Sequence, residues 1–172
     1  MLSTDTIHAR TYRLAAPHEL LQLKVLGIAA YSCYETELTS DNLAIWQASL
    51  NDDAKLAALM SASQVLVCAD GERLVGMAFL VPQGNPTPVY DAGWAYIRMV
   101  AVHPDFQGQG IAGELTRYCI TAARTNGETI IALHTSEMMH AARHVYEKAG
   151  FTILRELDPI FGKRYWLYTL QL

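Results

Sequence analysis

The chain has 172 residues, of which 51% are apolar, and this is enough for a single domain with a sizeable core. Its formal net charge of −4 argues against a large nucleic-acid-binding surface. No apolar run reaches the roughly 18 residues that a membrane span needs, and the N-terminus lacks the apolar segment of a secretory signal. The three cysteines (Cys33, Cys68 and Cys119) have no metal-type spacing, so we expect no metal, mostly buried reduced thiols and a cytoplasmic location.

The N-terminal part of the chain predicts one strand followed by helices. Residues 8–15 are typical of a strand, and Pro17 favours the first turn of a helix that continues to residue 31. Residues 32–50 indicate a loop with a short helix. Asn51 is a good N-cap for another helix, because two aspartates follow it at the positive end of the helix dipole.

The middle of the chain predicts a hairpin and then a long strand. "QVLVCA" and "RLVGMAFLV" are β-rich runs separated by "DGE", which is a hairpin signal. After the loop "PQGNPTP", residues 90–102 are predicted to form one long strand. This strand stops at His103, since a proline follows.

The C-terminal part predicts alternating helices and strands. A helix begins near residue 111, and a strand covers "TIIALH". A second helix begins near Met138 and ends at Gly150, and "FTILREL" and "RYWLYTLQL" are strands. The last strand either pairs within the sheet or contributes to a homodimer contact. The order predicts an α/β fold with a mixed central sheet of about seven strands and helices on both faces.

Three glycines lie close together in "HPDFQGQGIAGEL", between the predicted strand and the helix. A helix N-terminus has unpaired N–H groups and partial positive charge, and glycines let an anion approach them, so the loop suits a phosphate. A simple turn is the plainer alternative. Gly108, Gly110 and Gly113 also satisfy G-x-G-x-x-G, but the loop comes late in the chain and the next strand end lacks a carboxylate. These features disfavour a dinucleotide-binding oxidoreductase.

"VAVHPDFQGQGIAGEL" resembles the acyl-CoA-binding signature of the GCN5-related N-acetyltransferases (GNAT), through Gln107, Gly110 and Ala112. "AARHVYEKAGF" resembles the second hallmark of the same family. The resemblance implies a single N-acetyltransferase domain over residues 1–172, with 64–172 as the acetyl-CoA-binding core and 1–63 as the acceptor-side segment. It also implies that acetyl-CoA is the donor and that a primary amine of a small molecule or peptide attacks it directly in a ternary complex. A non-catalytic acyl-CoA sensor is the alternative, and we expect neither nucleic-acid nor membrane partners.

The resemblance also assigns the donor-binding residues. Backbone N–H groups of the loop bind the CoA pyrophosphate, the exposed edge of the preceding strand pairs with the pantetheine arm, and Tyr146 is the general acid. The implied cofactor-binding residues are Val100, Val102, Gln107, Gly108, Gln109, Gly110, Ile111 and Ala112. Core packing is the plainer explanation of Tyr146.

The sequence departs from the family pattern where a general base is expected. Tyr96 stands where many relatives carry a glutamate, and we expect it to position substrate or water. His134, Glu35 and Glu37 are the candidate bases; a helix cap and a solvated loop are the plainer explanations of these residues. Met139 replaces an asparagine that contacts pantetheine in relatives, which removes one hydrogen bond.

Aromatic residues are frequent on the predicted acceptor side. Such rings either stack on a cationic amine or belong to the core. They are Tyr31, Tyr34, Trp46, Trp94 and Tyr96.

Overall fold

The computed structural model describes residues 9–172, so the expectations for the extreme N-terminus, including a strand beginning at His8, lie outside the described residues. The strands are β1 (Thr11–Leu14), β2 (Gln64–Asp70), β3 (Arg73–Val81), β4 (Ala95–Val102), β5 (Ile130–Ser136), β6 (Thr152–Ile160) and β7 (Lys163–Gln171). The helices are α1 (Leu20–Tyr31), α2 (Ser40–Leu50), α3 (Asp53–Ser61), α4 (Ile111–Thr125) and α5 (His140–Lys148). None of the helices within residues 9–172 is long and apolar enough to span a membrane.

The strands form one seven-stranded sheet in the order β1-β2-β3-β4-β5-β7-β6. Only β4 and β5 are parallel; the other neighbours are antiparallel. Helices α1 and α3 pack on one face through residues such as Leu23 and Leu56, and α4 and α5 pack on the other through Leu115 and Tyr146. The predicted α/β fold with a mixed sheet and helices on both faces is therefore confirmed.

The parallel strands β4 and β5 separate soon after they meet. They pair only at Ala95–Ile131 and Tyr96–Ala132, so the edge of β4 that faces β5 is unpaired beyond Tyr96. On its other edge β4 pairs with β3, with a register break between Met77 and Phe79. Opposite this break Met99 has a φ of 52°, so the unpaired part of β4 carries a bulge. The gap between the two strands is where the cavities described below lie.

The structure corrects several element boundaries. The N-cap of α3 is Asp52, whose carboxylate accepts a hydrogen bond from the Lys55 N–H at 3.0 Å, whereas the predicted cap Asn51 instead donates to the Gln47 carbonyl at the end of α2. Strand β4 begins at Ala95, because the Trp94 N–H bonds to the Asp91 carbonyl and closes a turn after residue 90.

One further boundary differs from the expectation, whereas the cysteines are mostly buried as expected. Helix α5 begins at His140 and not near Met138, because the Met139 N–H bonds to the Ser136 carbonyl in a turn that precedes the helix. Among the cysteines, Cys68 and Cys119 are buried as expected, but Cys33 is exposed because it lies in the irregular segment after α1.

Candidate active site

The glycine-rich loop joins β4 to α4 through a single 3-10 turn and a sharp change of direction. Gly108 and Gly110 have φ values of 71° and 81°, which are left-handed conformations that glycine adopts without strain. Gly110 is the N-cap of α4, and a Cβ there would meet nothing within 4 Å. The first N–H groups of α4 therefore adjoin a space free of side chains, and such groups have no partners within a helix.

A cleft of about 350 Å³ lies between this loop, the end of β4 and α5. Every residue predicted to hold the cofactor lines it except Gln109. The Gln107 side chain donates to the Val102 carbonyl at 3.3 Å, which ties the loop to the end of β4. The side chain of Gln109 lies outside the cleft, where it donates to the Asp105 carbonyl and accepts a hydrogen bond from Arg10. We refer to this space as the donor cleft.

A second cavity of about 220 Å³ opens on the other side of the gap between β4 and β5. Its walls combine aromatic side chains from α1, α2 and the β6–β7 hairpin with polar residues of β4 and β5. We call it the acceptor cavity. It shares five lining residues with the donor cleft, and the two spaces therefore meet at this point: Tyr31, Tyr34, Val100, Ala142 and Tyr146.

Tyr146 lies on α5 at the junction of the two spaces, and only 6% of it is exposed. Its ring packs edge-on against Phe151. Burial raises the pKa of Tyr146 well above its usual value of 10.0, and the neighbouring phenols of Tyr31 and Tyr34 raise it further. The phenol is therefore protonated at neutral pH, which is the state of a proton donor and not of a base.

His134 lines the acceptor cavity from β5. The Tyr90 hydroxyl lies 2.5 Å from its Nδ1, and the Tyr165 ring packs beside it. Burial and, secondarily, the charge of Arg98 lower the pKa of His134 to about 4 from 6.5. The imidazole is therefore neutral at pH 7 and holds a proton weakly.

The other polar residues predicted for the site lie elsewhere. Tyr96 lines neither the donor cleft nor the acceptor cavity; its hydroxyl donates to the Asn85 carbonyl at 3.0 Å, and its ring stacks on Tyr90 at 4.0 Å. Glu35 accepts a hydrogen bond from Gln47 outside both spaces, and Glu37 is exposed. The structure therefore does not bring these side chains to the cavities, because the strand and loop that carry them direct them to other partners. Met139, in contrast, lines the acceptor cavity.

Several residues of the acceptor cavity are not identified as site residues by any sequence pattern. Arg98 projects into it from β4, and the only signal in the sequence is an arginine within an otherwise apolar strand. Phe161 lies in the tight turn between β6 and β7 with a φ of 53°, and its ring packs edge-on against Trp46 at 5.0 Å. Tyr165 of β7 completes the wall. Of the residues 9–172, no three His, Cys, Asp or Glu side chains are grouped so that they would hold a metal ion.

Solved structures of similar fold cover 95% of this chain. One is the PaiA N-acetyltransferase from Thermoplasma acidophilum in complex with coenzyme A, with 15% identity, a TM-score of 0.77 and 99% of that chain covered. Another is YncA, a putative acetyltransferase from Salmonella typhimurium with its cofactor acetyl-CoA, with 20% identity, a TM-score of 0.73 and 94% of that chain covered. At these identities the likeness establishes the fold.

Sequence comparison extends the relationship beyond the fold. N-alpha-acetyltransferase 30 from Schizosaccharomyces pombe is 36% identical over 62 residues, which are 36% of this chain and 41% of that protein. The alignment thus spans less than half of that relative. The model of the acetyltransferase (GNAT) family matches residues 29–151, which include the glycine-rich loop, β4, β5 and Tyr146. The chain belongs to the GNAT acetyltransferase family.

Proposed function

We propose that this protein transfers the acetyl group of acetyl-CoA to the primary amine of a small molecule or peptide, by direct attack in a ternary complex. The observation that carries the proposal is the junction of the donor cleft and the acceptor cavity at Tyr146. A donor and an acceptor bound in these two spaces have their reacting groups side by side, which supplies proximity without a covalent enzyme intermediate.

The residues of the donor cleft fit acetyl-CoA. The N-terminus of α4 and the two left-handed glycines provide unpaired N–H groups for a pyrophosphate, with no side chain in the way. The unpaired edge of β4 at Val100 and Val102 suits the peptide-like pantetheine arm, which would add to the sheet as a further strand. Bound acetyl-CoA supplies an activated thioester carbonyl at the junction.

The transfer forms one N–C bond and breaks one C–S bond. Tyr146 donates its proton to the departing sulfur, since its raised pKa keeps the phenol protonated until a thiolate develops beside it. The backbone N–H near Val100 polarises the carbonyl oxygen. The amine loses one proton, which we assign to His134 and then to water, because an imidazole with a pKa of about 4 does not retain it at neutral pH. Tyr146 regains one proton from water, so the protons balance over the cycle.

The two segments of the chain contribute differently to this arrangement. Residues 64–172 supply the loop, β4 and α5, and residues 1–63 supply Tyr31, Tyr34 and Trp46 to the acceptor cavity. We therefore propose 1–63 as the acceptor-side segment and 64–172 as the acetyl-CoA-binding core of one domain. We also propose a cytoplasmic location, which suits the free thiols of Cys33, Cys68 and Cys119.

Substitution of Tyr146 by phenylalanine tests the proposal. Removal of a general acid should lower kcat about 100-fold or more, while the Kd for acetyl-CoA changes little. CoA release should be followed by chromatography, because the exposed Cys33 reacts with thiol reagents. Tyr118→Phe is a matched control, since Tyr118 is half-buried on α4 against Tyr12 and lines neither space.

Three results would contradict the proposal. An unchanged kcat in Tyr146→Phe would remove the general-acid role. Binding of acetyl-CoA without acetylation of any amine would favour the acyl-CoA sensor. Binding of NAD in place of acetyl-CoA would mean that the glycine loop serves another nucleotide.

A further inference from the structure

The acceptor cavity contains a half-buried cation without a partner. Among the residues that the structure describes, its lining includes Arg98 and no aspartate or glutamate. Within residues 9–172, Arg98 belongs to none of the ion pairs and none of the side-chain hydrogen bonds. A guanidinium that is withdrawn from water without an anion is costly, so its partner is expected to come from outside the chain.

Trp46, which also lines this cavity, provides a second unsatisfied donor, and this donor is buried in the cavity wall. The residue is only 6% exposed, and its indole Nε1 has no hydrogen-bond partner among the described residues. The ring is held between Tyr31 and Phe161, which contact it edge-on with centroid distances of 5.9 and 5.0 Å. Buried indole N–H groups normally find an acceptor. Arg98 and Trp46 therefore both lack the same kind of group, an oxygen acceptor.

The space beside the acceptor cavity reinforces this charge pattern. A neighbouring cavity of about 260 Å³ shares Arg98 with it and is also lined by Lys24 and Lys55, again without an acidic lining residue. The two lysines already pair with Asp53 and Asp52, at 2.7 and 3.7 Å, so Arg98 is the cation of the three that lacks an anion in the described structure. The uncompensated positive charge at this place is therefore that of Arg98 alone, and it contrasts with the net charge of −4 of the whole chain. It attracts anions and repels polycationic amines.

We propose that the acceptor is a small α-amino acid with an apolar or aromatic side chain, whose carboxylate is bound by Arg98 and the indole N–H of Trp46. This inference rests on the proposed acetyl transfer and specifies its substrate class. It replaces the expectation that the aromatic residues stack on a cationic amine. At about 220 Å³ the cavity is smaller than the roughly 300–1,000 Å³ of sites for drug-sized ligands, which suits a single amino acid.

Two consequences of this arrangement agree with the transfer chemistry. The apolar side chain of the substrate would pack on Tyr34, Phe161 and Tyr165, which form the aromatic wall. The guanidinium of Arg98 lies near the amine and disfavours the ammonium form, so the neutral nucleophile that attack requires is more accessible.

The test compares amines that differ only in the carboxylate. L-leucine, L-leucinamide and isopentylamine form one series, and L-phenylalanine, L-phenylalaninamide and phenethylamine form another. We expect kcat/KM for the amino acid to exceed that for its amide by about 10- to 150-fold, the range for a hydrogen bond between charged groups. Arg98→Met should remove this preference, Arg98→Lys should retain part of it, and Trp46→Phe should reduce it. Arg124→Met, which removes an exposed arginine from the end of α4, should leave it unchanged.

A binding measurement separates this inference from the proposed function. In the presence of CoA, N-acetyl-L-leucine should bind the wild-type protein at least about 10-fold more tightly than N-acetyl-L-leucinamide, and Arg98→Met should bind both equally. Titration of Arg98→Met with acetyl-CoA shows whether its donor cleft is intact. If that variant does not fold, the relative affinity of the wild-type protein for N-acetyl-L-leucine and N-acetyl-L-leucinamide still tests the inference. Equal binding of the two products, or faster acetylation of the uncharged and cationic amines, would overturn the inference. Selective binding without any turnover would support the carboxylate-binding role of Arg98 and refute both the acetyl transfer and the assignment of the amino acid as its acceptor.

Discussion

Gly76 of β3 couples the stability of the sheet to the position of the glycine-rich loop. A Cβ at residue 76 would lie 2.6 Å from Cγ2 of Ile111, the first residue of α4, where ordinary contacts begin at 3.4 Å. It would also lie 3.1 Å from Leu115 Cδ1 and 3.3 Å from Cys68 Cβ. The absence of a side chain here lets the N-terminus of α4 pack directly on the sheet, and Gly76→Ala should push the helix away.

The expected cost follows from this contact. Overpacking of a core typically destabilises a protein by about 1–3 kcal/mol, and alanine recovers about 0.4–1 kcal/mol by restricting the unfolded chain. A net loss of about 1–2 kcal/mol would lower the urea midpoint by roughly 0.5–1 M if the unfolding slope is about 2 kcal/mol/M. Because Ile111 carries one of the first N–H groups of α4, affinity for acetyl-CoA should fall as well.

Urea unfolding and titration with acetyl-CoA test both effects. Gly93→Ala is the matched control, since its Cβ would meet nothing within 4 Å and Gly93 lines neither cavity. Ile111→Ala removes the clashing methyl group, so the Gly76→Ala/Ile111→Ala double variant should be more stable than the sum of the single changes predicts, by about 1 kcal/mol. A Gly76→Ala protein with wild-type stability and wild-type affinity would refute the packing argument, and strict additivity would refute the role of Ile111.

Three further predictions concern charge and backbone conformation. A hydrogen bond from Arg13 lowers the pKa of the buried Glu19 to about 2 from 4.5. This carboxylate therefore stabilises the fold fully above pH 4.5, and its contribution is lost as the pH falls towards 2. Glu19→Gln should cost up to about 3 kcal/mol at pH 7, and its stability measured by urea unfolding should depend less on pH in the acid range. Burial lowers the pKa of His134 to about 4. The free energy of unfolding should therefore be highest above pH 6.5 and decline as the pH falls to 4, because only the unfolded chain binds the proton in that range. His134→Gln should remove this pH dependence in the same assay. At Gly110, where φ is 81°, alanine should cost about 1–2 kcal/mol and weaken acetyl-CoA binding measured by calorimetry, whereas an unchanged Kd would show that the loop tolerates a right-handed backbone.

The sequence predicted the elements that depend on local patterns. The α/β fold and the glycine loop at Gly108 and Gly110 follow from hydrophobic periodicity and from glycine spacing, which act over a few residues. The predicted boundaries of helices were less accurate where two neighbouring residues are both suited to cap a helix. Asn51 and Asp52 are both good N-caps, and only the structure shows that Asp52 caps α3 while Asn51 closes α2.

The acceptor cavity could not be predicted in the same way, because its walls come from distant parts of the chain. Trp46 of α2 meets Phe161 of the β6–β7 turn, and Arg98 of β4 lines the same cavity. No spacing rule relates these positions, since their proximity results from the sheet order and from the separation of two parallel strands. In the proposed function, the donor is therefore bound by one short segment of backbone, whereas the acceptor is bound by side chains that only the fold brings together. It follows that relatives sharing the loop need not share an acceptor, and that the charge of Arg98 is a better guide to the amine than the family pattern.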